Sequence, residues 1–342
     1  MKELFICTKD LEQFLNFCCR DAKLLGPVRD NQGVVRFCQA SSVSELVLED
    51  AAKSNMSAKK AVLAQTEVLF SFANGDDGPS VSDVEEKDRV VVVGLRPCDA
   101  RGIWELDRVF SENVDEGLYA RRRKNVALIG MSCIKPDVTC FCSSVGGSPG
   151  GQQGLDLLLS KVDDGFVVSI CSDVGEKLVT EASMISDALK EALNKRDETL
   201  KNAEESIKKS VKTQGVEKHL ESVFNSKYWE KVSESCIGCG VCTFVCPTCY
   251  CFDMQDESDR QGGVRLRIWD SCMYPEYSVH ASGYNPRPDR LNRLRNRVFH
   301  KFVWMKNEYD FFGCTGCGRC VRLCPVNIDI AELVNGCWEA KK

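Results

Sequence analysis

Short uninterrupted apolar runs mark the first half of the chain: Arg89–Gly94 (RVVVVG), Asn125–Gly130 (NVALIG) and Phe166–Ile170 (FVVSI). Runs of this length, rich in Val and Ile and bounded by Gly or Cys, predict buried strands. Helical periodicity alternates with them. Directly after the first run, Asp99 can cap a helix whose Ile103, Leu106, Val109 and Phe110 share one face. This alternation predicts an α/β domain over 1–184. From Ile185 to about Trp229 the chain is charged, with Leu189, Leu193, Leu200 and Ile207 on one narrow stripe. That pattern predicts a solvated helical connector, 185–230. The remainder, 231–342, is organised around cysteine.

Composition narrows the class. The 342 residues are 43% hydrophobic and 28% charged, enough to bury a core and suited to about two domains. The longest aliphatic stretch, around Val90 to Leu95, is far short of the ~20 residues a membrane-spanning helix requires. The first residues carry no signal-peptide pattern, so a cytoplasmic protein is expected. A net charge of -5 argues against a nucleic-acid partner. The 21 cysteines, an odd number clustered at metal spacings, suit a reducing compartment better than a disulfide framework.

Two cysteine runs repeat one spacing: Cys236-x2-Cys239-x2-Cys242-x3-Cys246-Pro247 and Cys314-x2-Cys317-x2-Cys320-x3-Cys324-Pro325. A lone CxxC fits zinc or a redox disulfide. Two copies of CxxCxxCxxxCP specify two [4Fe–4S] clusters of the bacterial ferredoxin type, in which the fourth cysteine of each run ligates the other cluster. The expected sets are Cys236, Cys239, Cys242 and Cys324 on one cluster, and Cys314, Cys317, Cys320 and Cys246 on the second. Between the runs lie 67 residues, Pro247 to Gly313, a long insertion for a helical dicluster domain.

Four further cysteines lie in the first segment. Cys98 and Cys133 each follow a predicted strand, where open α/β sheets build their sites. Cys140 and Cys142 come shortly before the glycine-rich loop Gly146-Gly147-Ser148-Pro149-Gly150-Gly151. Four thiolates suffice for a third [4Fe–4S] cluster or for a tetrahedral zinc, and plain buried thiols are the remaining reading. No GxGxxG or GxxxxGK[ST] occurs, so neither a nicotinamide nor a flavin is expected on this chain. Cys249, Cys251 and Cys272 flank the first run; they either pack the shell that tunes its cluster or, with His280, hold a further metal. Cys7, Cys18, Cys19, Cys38, Cys171 and Cys337 read as small hydrophobes.

The order Arg-Pro-Cys-Asp-Ala-Arg, Thr-Cys-Phe-Cys-Ser, Cys-Ile-Gly-Cys-Gly-Val-Cys-Thr-Phe-Val-Cys-Pro-Thr-Cys-Tyr-Cys, Trp-Asp-Ser-Cys and Gly-Cys-Gly-Arg-Cys-Val-Arg-Leu-Cys-Pro resembles the iron–sulfur (beta) subunits of cytoplasmic [NiFe] sulfhydrogenases. It is equally similar to the corresponding iron–sulfur subunit of anaerobic sulfite reductase and to that of flavin oxidoreductases that feed heterodisulfide reductases. The resemblance covers about residue 60 to the carboxyl end. It implies an electron-transfer role between a flavoprotein subunit (FAD, NAD(P)H-oxidising) and a catalytic redox subunit. It also implies that Cys98, Cys133, Cys140 and Cys142 match the family's amino-terminal cysteines. Relatives resemble Gly-His-Asn-x-Arg after Trp-Asp-Ser-Cys, whereas this chain has Ser282-Gly283-Tyr284-Asn285-Pro286-Arg287, with His280 out of register.

Two other classes compete: a reductase with its own substrate site at the amino-terminal cysteines, and a zinc-binding scaffold. Only three histidines occur, His219, His280 and His300, with no HExxH or Ser/His/Asp pattern. Arg287, Arg290, Arg293, Arg295, Arg297, His300 and Lys301 form a basic stretch over a helical face of Leu291, Leu294, Val298 and Phe302. It reads as a solvated helix or as a docking face for an acidic partner protein.

Overall fold

The computed structural model describes residues 3–49, 54–75, 78–84, 88–112, 117–180 and 182–340. Its elements run β1 (Glu3–Cys7), α1 (Leu11–Cys18), β2 (Lys23–Arg29), β3 (Val35–Ala40), β4 (Thr66–Gly75), β5 (Gly78–Asp83), β6 (Val90–Leu95), α2 (Pro97–Glu112), α3 (Gly117–Lys124), β7 (Val126–Met131), β8 (Leu157–Val162), β9 (Gly165–Ile170), α4 (Asp173–Thr180) and β10 (Ser186–Asp187). There follow α5 (Lys190–Glu205), α6 (Val216–Ser222), α7 (Tyr228–Ser233), α8 (Val241–Phe244), β11 (Phe252–Ser258), β12 (Gly262–Trp269), α9 (Arg290–Phe299), a π-helical turn (His300–Trp304), α10 (Met305–Tyr309), α11 (Arg319–Arg322) and α12 (Ile330–Gly336).

An eight-stranded sheet, ordered β10-β1-β9-β8-β7-β6-β2-β3, forms the first segment. Its centre, β2-β6-β7-β8, is parallel and its flanks are antiparallel. The three apolar runs form β6, β7 and β9. Central parallel strands are covered on both faces, which is why RVVVVG and NVALIG show no alternation. Val91, Val93 and Ile129 pack with Phe14 and Leu15 on one face. Val92, Leu95 and Leu128 pack with Ile103 and Leu106 of α2 on the other.

The end of β6 is bent outward. Gly94 takes a left-handed φ of 81° where the register to β7 shifts between Val93 and Leu95. A side chain there would be strained, and its Cβ would stand 2.9 Å from Leu48. The bend delivers Arg96, Pro97 and Cys98 to the carboxyl end of the sheet. Helix α2 begins at Pro97 rather than at an Asp99 cap. Proline at a first helical position loses no hydrogen bond, which frees Asp99 for another use.

A second, four-stranded antiparallel sheet, β11-β12-β4-β5, crosses the expected boundaries. Two of its strands come from the first segment and two from between the cysteine runs, so the stretch joining the runs is part strand rather than wholly helical. The other core is helical: Trp229, Val298, Phe299, Phe302 and Val334 pack beside Cys236, Cys272 and Cys314. Helix α5 occupies the expected connector. Among the described residues no helix is long and apolar enough to cross a membrane.

Candidate metal centres

Each cysteine run folds the same way. Gly238 and Gly240 have φ of 70° and 73°, and Gly316 and Gly318 have 65° and 72°. These left-handed glycines wind the CxGCGxC segment around a common centre, and Gly240 and Gly318 then cap the short helices α8 and α11. The glycines also admit neighbours. A Cβ on Gly316 would lie 2.6 Å from the Cys142 backbone, and one on Gly318 2.2 Å from Thr139 Oγ1.

Cysteines from both runs line one cavity: Cys236, Cys239 and Cys242 from the first, with Cys320 and Cys324 from the second. The Cys324 sulfur accepts the Ile328 amide at 3.2 Å. Among the described residues Cys239 is the one exposed cysteine. The partners expected for the second set lie together on the inner side. Burial pushes the Cys314 thiol up to about 12, and the neighbouring Cys246 and Cys317 sulfurs add to the rise. Cys320 rises too, chiefly by burial and then through Cys314, Cys317 and Cys246. The donors are thiols throughout, with a positive charge beside them and a shell that is otherwise apolar. That chemistry fits thiolate-held iron.

The four amino-terminal cysteines collect at the strand ends and face the second run. Cys98 stands in the first turn of α2. Cys133 follows β7, its amide bound to Pro149 O at 2.8 Å. The Cys140 thiol donates to Cys317 O at 3.7 Å, and Phe141 N donates to Gly316 O at 2.9 Å. Burial pushes Cys140 up to about 12 and Cys142 up to about 11, with other cysteine sulfurs of the group contributing. Cys98 and Cys142 line a cavity of about 160 Å³ with Arg101, Gly146, Gly147 and Thr315. The Arg101 Nη1 and Thr315 Oγ1 atoms on its wall are buried without a hydrogen-bond partner. Orphaned donors beside thiols fit an anionic, sulfur-rich occupant.

A zinc held by four thiolates at ~2.3 Å would bring its sulfurs to about 4 Å from one another. No three Cys, His, Asp or Glu side chains among the described residues are grouped to hold a single metal ion. His280 is exposed and packs on Tyr284.

Around Cys249, Cys251 and Cys272 the structure gathers cations that the sequence did not announce. Arg297 Nη1 reaches the Cys249 sulfur at 3.8 Å. Lys59 Nζ donates to Cys249 O at 2.8 Å and stands 4.1 Å over the Trp269 ring. Lys301 Nζ donates to Thr248 Oγ1 at 2.9 Å and Gly313 O at 2.7 Å. A hydrogen bond from the Cys272 side chain holds the Cys251 thiol down at about 6. The basic stretch is therefore only in part a solvated face: Arg290 is exposed, whereas Arg293, Arg297 and Lys301 are 5%, 4% and 2% exposed. One signal was present, since Arg297 and Lys301 share the spacing of Leu294, Val298 and Phe302. Lys59 had none.

This geometry defines an iron–sulfur protein of the dicluster ferredoxin class, and residues 235–328 match the family described as 4Fe-4S dicluster domain. Over 328 residues, 94% of each chain, the protein is 34% identical to sulfhydrogenase 2 subunit beta of Pyrococcus furiosus. It is 26% identical over 172 residues to the F420-dependent formate dehydrogenase subunit beta of Methanocaldococcus jannaschii, covering 48% of this chain and 37% of that one. No solved structure gives a significant match. The chain belongs to the iron–sulfur beta-subunit family of the sulfhydrogenases, 4Fe–4S proteins of electron transport.

Proposed function

We propose that this chain relays single electrons between a flavoprotein subunit that oxidises NAD(P)H and a catalytic subunit of the hydrogenase, sulfite reductase or heterodisulfide reductase type, in a cytoplasmic complex. The observation that carries the reading is the meeting of Cys324, with Cys320 beside it, and Cys236, Cys239 and Cys242 around one cavity. Cysteines of the two runs sharing one wall support a fourth ligand taken from the other run. Cys246, Cys314, Cys317 and Cys320 then hold the second cluster. Each bound cluster takes up and releases one electron at a time, at a potential set by its surroundings.

Cys98, Cys133, Cys140 and Cys142 hold a third cluster in this reading. It is supported by the contact of Cys140 with the Cys317 carbonyl and by the orphaned Arg101 and Thr315 donors. The order of centres is then amino-terminal group, second set, first set, ending at the exposed Cys239. Cys249, Cys251 and Cys272 pack the shell and hold cations against it.

Anaerobic purification followed by iron and sulfide analysis tests the reading. About twelve irons per chain, as three cubes require, and co-purification of a flavoprotein support it; a colourless, zinc-loaded protein overturns it. Turnover of a substrate by the isolated chain with a chemical reductant alone would instead favour a reductase acting at the Arg101 cavity.

A further inference from the structure

Arg297 and Lys301 stand four residues apart, Arg297 in α9 and Lys301 in the π-helical turn that follows, and both side chains are buried. A cation removed from water needs compensating negative charge nearby. Neither has a carboxylate partner among the described residues. Arg297 Nη1 meets the Cys249 sulfur, and Nη2 is buried without any partner. The guanidinium lines the cavity shared by Cys236, Cys239, Cys242 and Cys324. Its foremost electrostatic neighbours are Cys242, of the first set, and Cys320, of the second.

Lys301 is placed differently. Its ammonium donates to Thr248 Oγ1, which lies 3.2 Å from the Cys246 sulfur, and to the carbonyl of Gly313, the residue before Cys314. Its sulfur neighbours are Cys246, Cys249 and Cys314, with none from the first set prominent. Lys59 donates to the Cys249 carbonyl and lies within electrostatic reach of Lys301. One buried carboxyl, Glu105, interacts with Lys301, but it is paired with Arg101 at 3.4 Å, so the two together add no net negative charge.

Positive charge stabilises whichever oxidation state carries more negative charge, which is the reduced one, and it does so most strongly in a low-dielectric interior. Resting on the assignment of the eight cysteines above, we infer that Arg297 is a shared tuning residue that raises the potentials of both centres. Lys301 is private to the set Cys246, Cys314, Cys317 and Cys320, making that centre the more oxidising of the two and the place where a single electron rests.

The test is an EPR-monitored potentiometric titration of the full-length, cluster-loaded protein, with the two signals assigned by Cys324→Ser and Cys314→Ser variants. Lys301→Gln is expected to lower the midpoint of the second-set signal and leave the first unmoved. Arg297→Gln is expected to lower both, and Arg297→Lys, which keeps the charge, to leave both close to the wild type. Unmoved midpoints in Arg297→Gln at full iron content, or an equal shift of both in Lys301→Gln, would overturn the inference. If Arg297→Gln fails to load iron, Arg297→Lys decides: normal loading with unmoved midpoints upholds the charge, and failure or a shift of both shows that shape mattered instead. A wild type lacking two ferredoxin-type signals would refute the cysteine assignment itself, a separable outcome.

Discussion

Arg319 and Asp99 form a buried ion pair, Nη2 to Oδ2 at 2.7 Å, with side chains 3% and 0% exposed. Arg319 lies between Cys317 and Cys320, and Asp99 follows Cys98, so the bridge ties the second cysteine run to the carboxyl end of the large sheet. Arg319 Nε also donates to Ser54 O at 3.0 Å. Breaking a buried pair by removing one partner costs ~3–5 kcal/mol, whereas replacing both with apolar groups is often neutral. Asp99→Leu is therefore expected to lower the thermal midpoint sharply, and Asp99→Leu/Arg319→Met to recover most of the loss. A double variant no more stable than the single one would show that the pair does not act as a unit.

The shared cavity predicts a crossed pattern of losses. Cys324→Ala should abolish the same EPR signal as Cys236→Ala, although the two residues belong to different runs. Cys246→Ala should match Cys314→Ala. If Cys324→Ala instead matches Cys314→Ala, each run holds its own cluster.

Gly316 predicts a local lesion. At φ 65° a side chain costs about 1–2 kcal/mol in backbone strain alone, and its Cβ would press on the Cys142 backbone at 2.6 Å. Gly316→Ala should thus loosen the Cys140–Cys142 loop from the second run. Iron analysis should show loss from the amino-terminal cysteines before the first set is affected.

His300 predicts an acid limb. Burial, with Lys301 and Arg297 adding, lowers its pKa to about 4; Tyr250 Oη lies 3.3 Å from its Nε2. Between about pH 6.5 and 4 the unfolded chain takes up a proton that the folded one refuses, so stability falls as pH drops through that window, by about 2 kcal/mol at pH 5. His300→Gln should narrow the gap in melting temperature between pH 7.5 and pH 5. An unchanged gap would place the acid sensitivity elsewhere.

The cysteine runs were legible because ligation demands a fixed spacing, and the central strands because burial on both faces leaves an unbroken apolar run. The use of Asp99 was not, because an aspartate near a helix start caps helices as readily as it pairs with an arginine 220 residues away. The inward turn of Arg297 and Lys301 was misread for a related reason. Cations on an amphipathic helix normally face water, and only a thiolate-rich neighbour reverses that preference. The exposed strands β11 and β5 carry only Phe252, Met254 and Val81 as large apolar residues, all exposed, too few to mark a strand, and their pairing is carried by backbone.

The second sheet also imposes an order in time. At ~5–20 residues per second of synthesis, the stretch from Gly75 to Gly262 takes about 10–40 s to emerge. Throughout that interval β4 waits with the edge that β12 will later occupy unpaired, bearing Phe70 and Phe72. An open edge of this kind invites pairing with another chain. Nascent chains are thus most prone to misassociate before the β11–β12 hairpin has been made, and crowding by neighbouring copies on one message is the condition under which yield should suffer first.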